Sequence, residues 1–144
     1  MMLRAHDWPT RLLNQVEQAR RTPFAWGVAD CCLFACDCVQ AMTGVDPAAW
    51  FRGRYRTRGG AMRALRAYAG GGLEATAQSI ATDLGMPELP PALAQRGDVV
   101  LLSVPDCQPE NLALGICLGG HHAAQGPQGV SAIPLAQAVR AWRV

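Results

Sequence analysis

The chain has 144 residues, half of them apolar and 17% charged. That is the composition of a single globular domain with one ordinary core, and it excludes a disordered chain. The formal charge of +2 is too small to argue for a nucleic-acid partner, and no run approaches the roughly 18–20 consecutive apolar residues that span a bilayer.

A first helix is expected to open at Asp7 or Trp8-Pro9, with Leu12, Leu13, Val16 and Ala19 at helical spacing, and to end at Arg20-Arg21-Thr22 before Pro23. After a loop from Phe24 to Asp30, a second helix is expected from Cys31 to Met42, stopped by Gly44. Its nearly unbroken apolar run makes it the buried central helix of the domain. A linking segment begins at Asp46-Pro47, and Gly59-Gly60 leads into a third helix, Ala61 to Ala69. A fourth runs from Leu73 to Leu84, and Pro87, Pro90 and Pro91 mark a rigid connection. From Gly97 onward the pattern changes to strands: 98–104, 112–118, 121–124 and 130–133, then a short helix from Leu135 leading to Trp142. Helices first and an antiparallel sheet second is an α+β order, in one domain covering 1–144.

Six cysteines are present, four of them between Cys31 and Cys38. The first nine residues contain no hydrophobic stretch of the secretory-signal kind, so synthesis in a reducing cytoplasm is expected. There the cysteines read as buried small hydrophobes, a metal site or a catalytic thiol before they read as disulfides. Cys31 follows Asp30, a carboxylate able to cap a helix, and so sits at the positive end of the helix dipole, which favours a thiolate. Asp30 beside it opposes ionisation. Cys32 and Cys36 share a helix face and, with Cys107 or Cys117 brought in from the sheet, are candidates for a metal or iron–sulfur centre, although no C-x-x-C spacing occurs. No cofactor is expected.

Three motifs in order carry a resemblance. Phe24-Ala25-Trp26-Gly27, two residues, then Asp30-Cys31 resembles the nucleophile segment of NlpC/P60 enzymes, members of the papain-like cysteine peptidase superfamily. Arg96-Gly97-Asp98-Val99-Val100 resembles their Pro-Gly-Asp-Leu strand entry, and Leu114-Gly115-Ile116-Cys117-Leu118-Gly119 resembles their His-Val-Gly-Ile strand. Gly44-Val45-Asp46-Pro47, Tyr55-Arg56-Thr57 and the Ala141-Trp142-Arg143-Val144 tail are similar to short phage and prophage members encoded among tail-assembly genes. The resemblance implies a papain-like fold with N-terminal helices packed on a C-terminal antiparallel sheet. It also implies a tail-tip component near the hub, made in the bacterial cytoplasm and carried in the virion, with other tail proteins as partners and no membrane insertion.

One departure bears on activity. Alignment on Gly115-Ile116 puts Ala113 where the family has its catalytic histidine, and alanine cannot take a thiol's proton. His122-Ala123 occupies the place of the family's third polar residue. The resemblance therefore implies a degenerate site of Cys31 and His122 on a structural protein. The alternative is a working peptidoglycan endopeptidase in which Cys31 attacks, its backbone N–H helps hold the oxyanion and His122 serves as base. A third reading is a cysteine-ligated metal module of the hub. Trp50, Arg52, Arg54, Tyr55, Arg56 and Trp142 supply the aromatic and arginine anchors expected of a docking surface.

Overall fold

The structure, a computed structural model, describes residues 2–105, 107 and 110–144. Four helices come first: α1 (Trp8–Arg20), α2 (Cys31–Thr43), α3 (Arg58–Ala69) and α4 (Leu73–Leu84). Pro9 lies in the first turn of α1, where its missing N–H costs no bond, and Leu12, Val16 and Ala19 form the buried stripe. In α2, Leu33, Phe34, Cys36, Cys38, Val39 and Met42 are all buried, as the apolar run requires of a central helix. The helix stops at Gly44, whose φ of +79° is the left-handed cap conformation. α3 begins three residues before the expected Ala61, because the Thr57 side chain accepts the Gly60 N–H at 3.0 Å and caps an earlier turn.

Six strands follow: β1 (Glu88–Leu89), β2 (Val99–Ser103), β3 (Leu112–Cys117), β4 (His122–Gly126), β5 (Gly129–Ile133) and β6 (Ala138–Trp142). They form one sheet in the order β1-β6-β2-β3-β4-β5, with every neighbouring pair antiparallel. The protein is therefore α+β. The short helix expected from Leu135 is a single 3-10 turn, Leu135–Gln137, and the stretch on to Trp142 is a strand, β6, that is not among those expected from the sequence. Residues 138–142 are extended because they fill the slot between β1 and β2, pairing Trp142 with both Glu88 and Val99.

Both faces of the sheet are covered. Val99, Leu101, Leu114, Ile116, Ala123 and Trp142 join the helices in the larger core. Val100, Leu102, Ala113, Cys117, Ala124, Ile133 and Ala141 form a second cluster on the other face. The alternation of strand side chains assigns each set to its face.

Asp98, at the mouth of β2, fastens the chain ends. Its carboxylate is fully buried and accepts from Arg4 at 3.0 Å, from the Gln95 N–H at 2.9 Å and from the Val144 N–H at 3.3 Å. The Gly97-Asp98 pair is thus a structural clasp.

The β3–β4 ladder is short. β2 and β3 pair at five positions, whereas the β3–β4 register joins Ile116 to Ala123 and Cys117 to His122. Gly115 permits the close crossing, since a Cβ there would lie 2.4 Å from the Ala123 carbonyl oxygen. Beyond it, the start of β3 and the end of β4 are unzipped, and the N-terminus of α2 faces that gap.

Candidate functional site

The loop before α2 is built to present Cys31. Ala25 and Ala29 exchange backbone hydrogen bonds of 3.2 and 2.8 Å, closing a tight turn around Gly27. Gly27 has φ +82°, and a Cβ on it would lie 1.9 Å from the Tyr55 carbonyl oxygen, so both conformation and space demand glycine. Asp30 then ends the loop. One of its oxygens accepts the Leu33 N–H at 3.0 Å and caps α2; the other accepts the Gly27 N–H at 3.0 Å and the Tyr55 hydroxyl at 2.7 Å. These bonds fix Cys31 as the first residue of the helix, where a backbone N–H has no partner within the helix. The Cys31 N–H, the donor expected for an oxyanion, is thus one of the first-turn donors of α2 that are unpaired within the helix.

Cys31 opens on a cavity of about 230 Å³ lined by Phe24, Trp26, Arg58, Cys107, Gln125 and Gly126. Phe24 and Trp26 meet edge to face at 5.0 Å. A second cavity of about 350 Å³ shares Cys107, Gln125 and Gly126 with the first and continues to Ala113, Ser131 and Ile133. Together they make one cleft along the unzipped seam between β3 and β4.

The cleft does not activate the thiol. Burial pushes the Cys31 thiol well above the ordinary range, and Cys32, Asp30 and Cys107 push the same way; the Leu114 backbone N–H opposes them. The helix dipole, worth about 0.3–1 kcal/mol at an ordinary terminus, is outweighed.

Ala113 is buried on β3 and lines the larger cavity. His122 does not join Cys31. It sits at the first position of β4, beside Cys117 and Ile133, three residues or about 10 Å along the strand from the cleft residue Gln125. Its Nε2 is 3.3 Å from the Leu135 carbonyl, and its buried Nδ1 finds no partner among the described residues. Burial lowers its pKa. His122, on β4, is thus not among the residues lining the cavity on which Cys31 opens from the head of α2.

Gln125 is the cleft residue that sequence reasoning missed. Its Nε2 donates to the carbonyls of Ala19 at 3.4 Å and Thr22 at 3.2 Å, tying the end of α1 to β4. Strand alternation was the available signal, since Ala123 and Gln125 must share the helix-facing side.

The remaining candidates fall into separate places. Cys32 and Cys36 are buried on α2, Cys117 is buried on β3 and Cys107 lies at the cleft. Among the described residues no group of three or more His, Cys, Asp or Glu side chains gathers to hold a metal, so the Cys32–Cys36–Cys107–Cys117 ligand set is not assembled. Of the expected docking residues, Trp142 is fully buried and Tyr55 nearly so, which corrects both to core positions. Arg52 is held by Asp37 at 2.7 Å and Asp46 at 2.8 Å, and burial, weighed against Arg52, leaves Asp37 with a raised pKa. Trp50 remains 38% exposed with the Arg54 guanidinium 4.4 Å above its ring, and Arg56 is exposed. These three stay at the surface.

Residues 3–144 match the family model described as "Domain of unknown function (DUF6950)", and the chain belongs to that family. No curated protein matches it.

Proposed function

We propose that this protein is a structural component of a phage or prophage tail tip, near the hub, with an NlpC/P60-like fold whose peptidase site is degenerate. The observation that carries the loss of activity is the environment of Cys31. Among the described residues no histidine lines the cleft. The one carboxyl beside Cys31, that of Asp30, has both oxygens engaged by Gly27, Leu33 and Tyr55. A thiol whose pKa is raised, with no base beside it, stays mostly protonated at neutral pH and receives no help in protonating a leaving amine. The tail assignment rests on the ordered motifs around Cys31, Asp98 and Gly115 and on their likeness to the short tail-assembly proteins. The α+β order, with Cys31 starting the central helix against an antiparallel sheet, is consistent with it.

Complementation of a chain-deleted phage or prophage tests this reading. Wild type and Cys31→Ala should restore infectious particles to the same titre, and the protein should be detected in purified tails. Equal restoration supports a role in assembly. Particles that assemble with Cys31→Ala but fail to penetrate the cell wall would establish the endopeptidase alternative. Absence of the protein from purified tails would overturn the tail assignment.

A further inference from the structure

Cys31 and Cys107 are far apart in the chain and come together in the fold. Both line the same cavity of about 230 Å³. Both pack against the second buried cluster, Cys31 from the head of α2, where it also touches the larger core. They are also the two partly exposed cysteines, whereas Cys32, Cys36, Cys38 and Cys117 are buried. We propose that Cys31 and Cys107 are a redox pair that closes into a disulfide across the cleft, tying the segment after β2 to the N-terminus of α2.

The oxidant is a peroxide. The Cys107 thiolate attacks one peroxide oxygen, the O–O bond breaks, and hydroxide leaves and is protonated to water, giving a sulfenic acid on Cys107. The Cys31 thiolate then attacks that sulfur; the S–O bond breaks, a second water leaves and the S–S bond forms. Two thiols lose two electrons, and hydrogen peroxide is reduced to two waters. Cys107 goes first because burial alone raises its pKa, while Cys31 is raised by burial and by three neighbouring groups. Both thiols are mostly protonated at neutral pH, so the reaction accelerates with pH, by about tenfold per unit below the thiol pKa. The pair stands on geometry alone and does not depend on the tail assignment.

Peptide mapping tests it. Reduced protein is treated with hydrogen peroxide, alkylated, digested and read by mass spectrometry, in wild type and in Cys31→Ala, Cys107→Ala and Cys117→Ala. Wild type and Cys117→Ala should yield one linked peptide pair containing residues 31 and 107, which dithiothreitol separates. Cys31→Ala and Cys107→Ala should each lose it, with Cys107 progressing to the sulfinic acid in Cys31→Ala. Circular dichroism shows whether each variant has kept its fold. The proposal is overturned if folded wild type keeps all six thiols while a denatured control is oxidised. It is equally overturned if the linkage survives in Cys107→Ala or joins Cys32 to Cys36 instead.

Discussion

The Tyr55 hydroxyl donates to Asp30 Oδ2 at 2.7 Å inside the core, joining residues 25 apart in the chain. Through this bond the segment after Pro47, read from the sequence as a surface linker, becomes the buttress of the α2 N-cap. Tyr55→Phe removes one charge-assisted bond and leaves two, so the loss should be about 2 kcal/mol. Asp30→Ala removes the cap and strands the Tyr55 hydroxyl in the core, so about 3 kcal/mol or more is expected. Urea unfolding of both variants and the double variant checks this. Additive losses would mean the bond is not coupled.

Two left-handed glycines separate strain from collision. Gly44 has φ +79° with open space where a Cβ would go, so Gly44→Ala should cost about 1 kcal/mol from backbone conformation alone. Gly27 has φ +82° and the Tyr55 carbonyl 1.9 Å from the same point. Gly27→Ala must therefore displace backbone as well, and should cost about 3 kcal/mol or more. Thermal melts of the two variants should differ by several degrees in that order. Equal shifts would show that the Gly27 contact relaxes freely.

His122 predicts a pH dependence. Burial sets its folded pKa below the ordinary 6.5, so as pH falls the unfolded chain takes up the proton first. The stability present above pH 6.5 is then lost toward the lower folded value, at no more than about 1.4 kcal/mol per pH unit. Asp46 and Glu88, lowered from 3.8 and 4.5, act only at more acid pH. Denaturation at pH 8 and pH 5 should show the loss in wild type and a smaller one in His122→Leu, whose side chain needs no partner for the orphaned Nδ1. An unchanged slope in the variant would sink the assignment.

How much of this was legible beforehand follows from where the determining forces lie. α1, α2 and α4 are written in local patterns of apolar spacing, proline and glycine, and the structure follows them closely. β6 is not, because Ala138–Trp142 is compatible with a helix and becomes a strand through pairing with β1 and β2. Cys31 at the head of α2 could be placed from Asp30 and the Trp26-Gly27 turn. The state of its sulfur could not, since burial beneath β3 and β4 is a tertiary effect that overrides the helix dipole. His122 was misplaced for a related reason. Its neighbour in sequence, Ala123, faces the helices, and one step along a strand turns a side chain to the other face.

The last prediction concerns that sulfur directly. With Cys31 raised by burial and His122 elsewhere on the sheet, alkylation by iodoacetamide at pH 7 to 8 should be much slower at Cys31 than at a free thiol of pKa about 8.5. Because thiolate fraction falls about tenfold for each unit of pKa, the slowing should exceed tenfold. His122→Ala should leave the rate unchanged, since no imidazole stabilises the thiolate. Tyr55→Phe should alter it modestly, because freeing one Asp30 oxygen changes the charge felt next to the thiol. Mass spectrometry of the alkylated residue 31 across a pH series distinguishes the cases. A fast Cys31 whose rate drops in His122→Ala would restore the thiolate–imidazole pair and with it the peptidase reading.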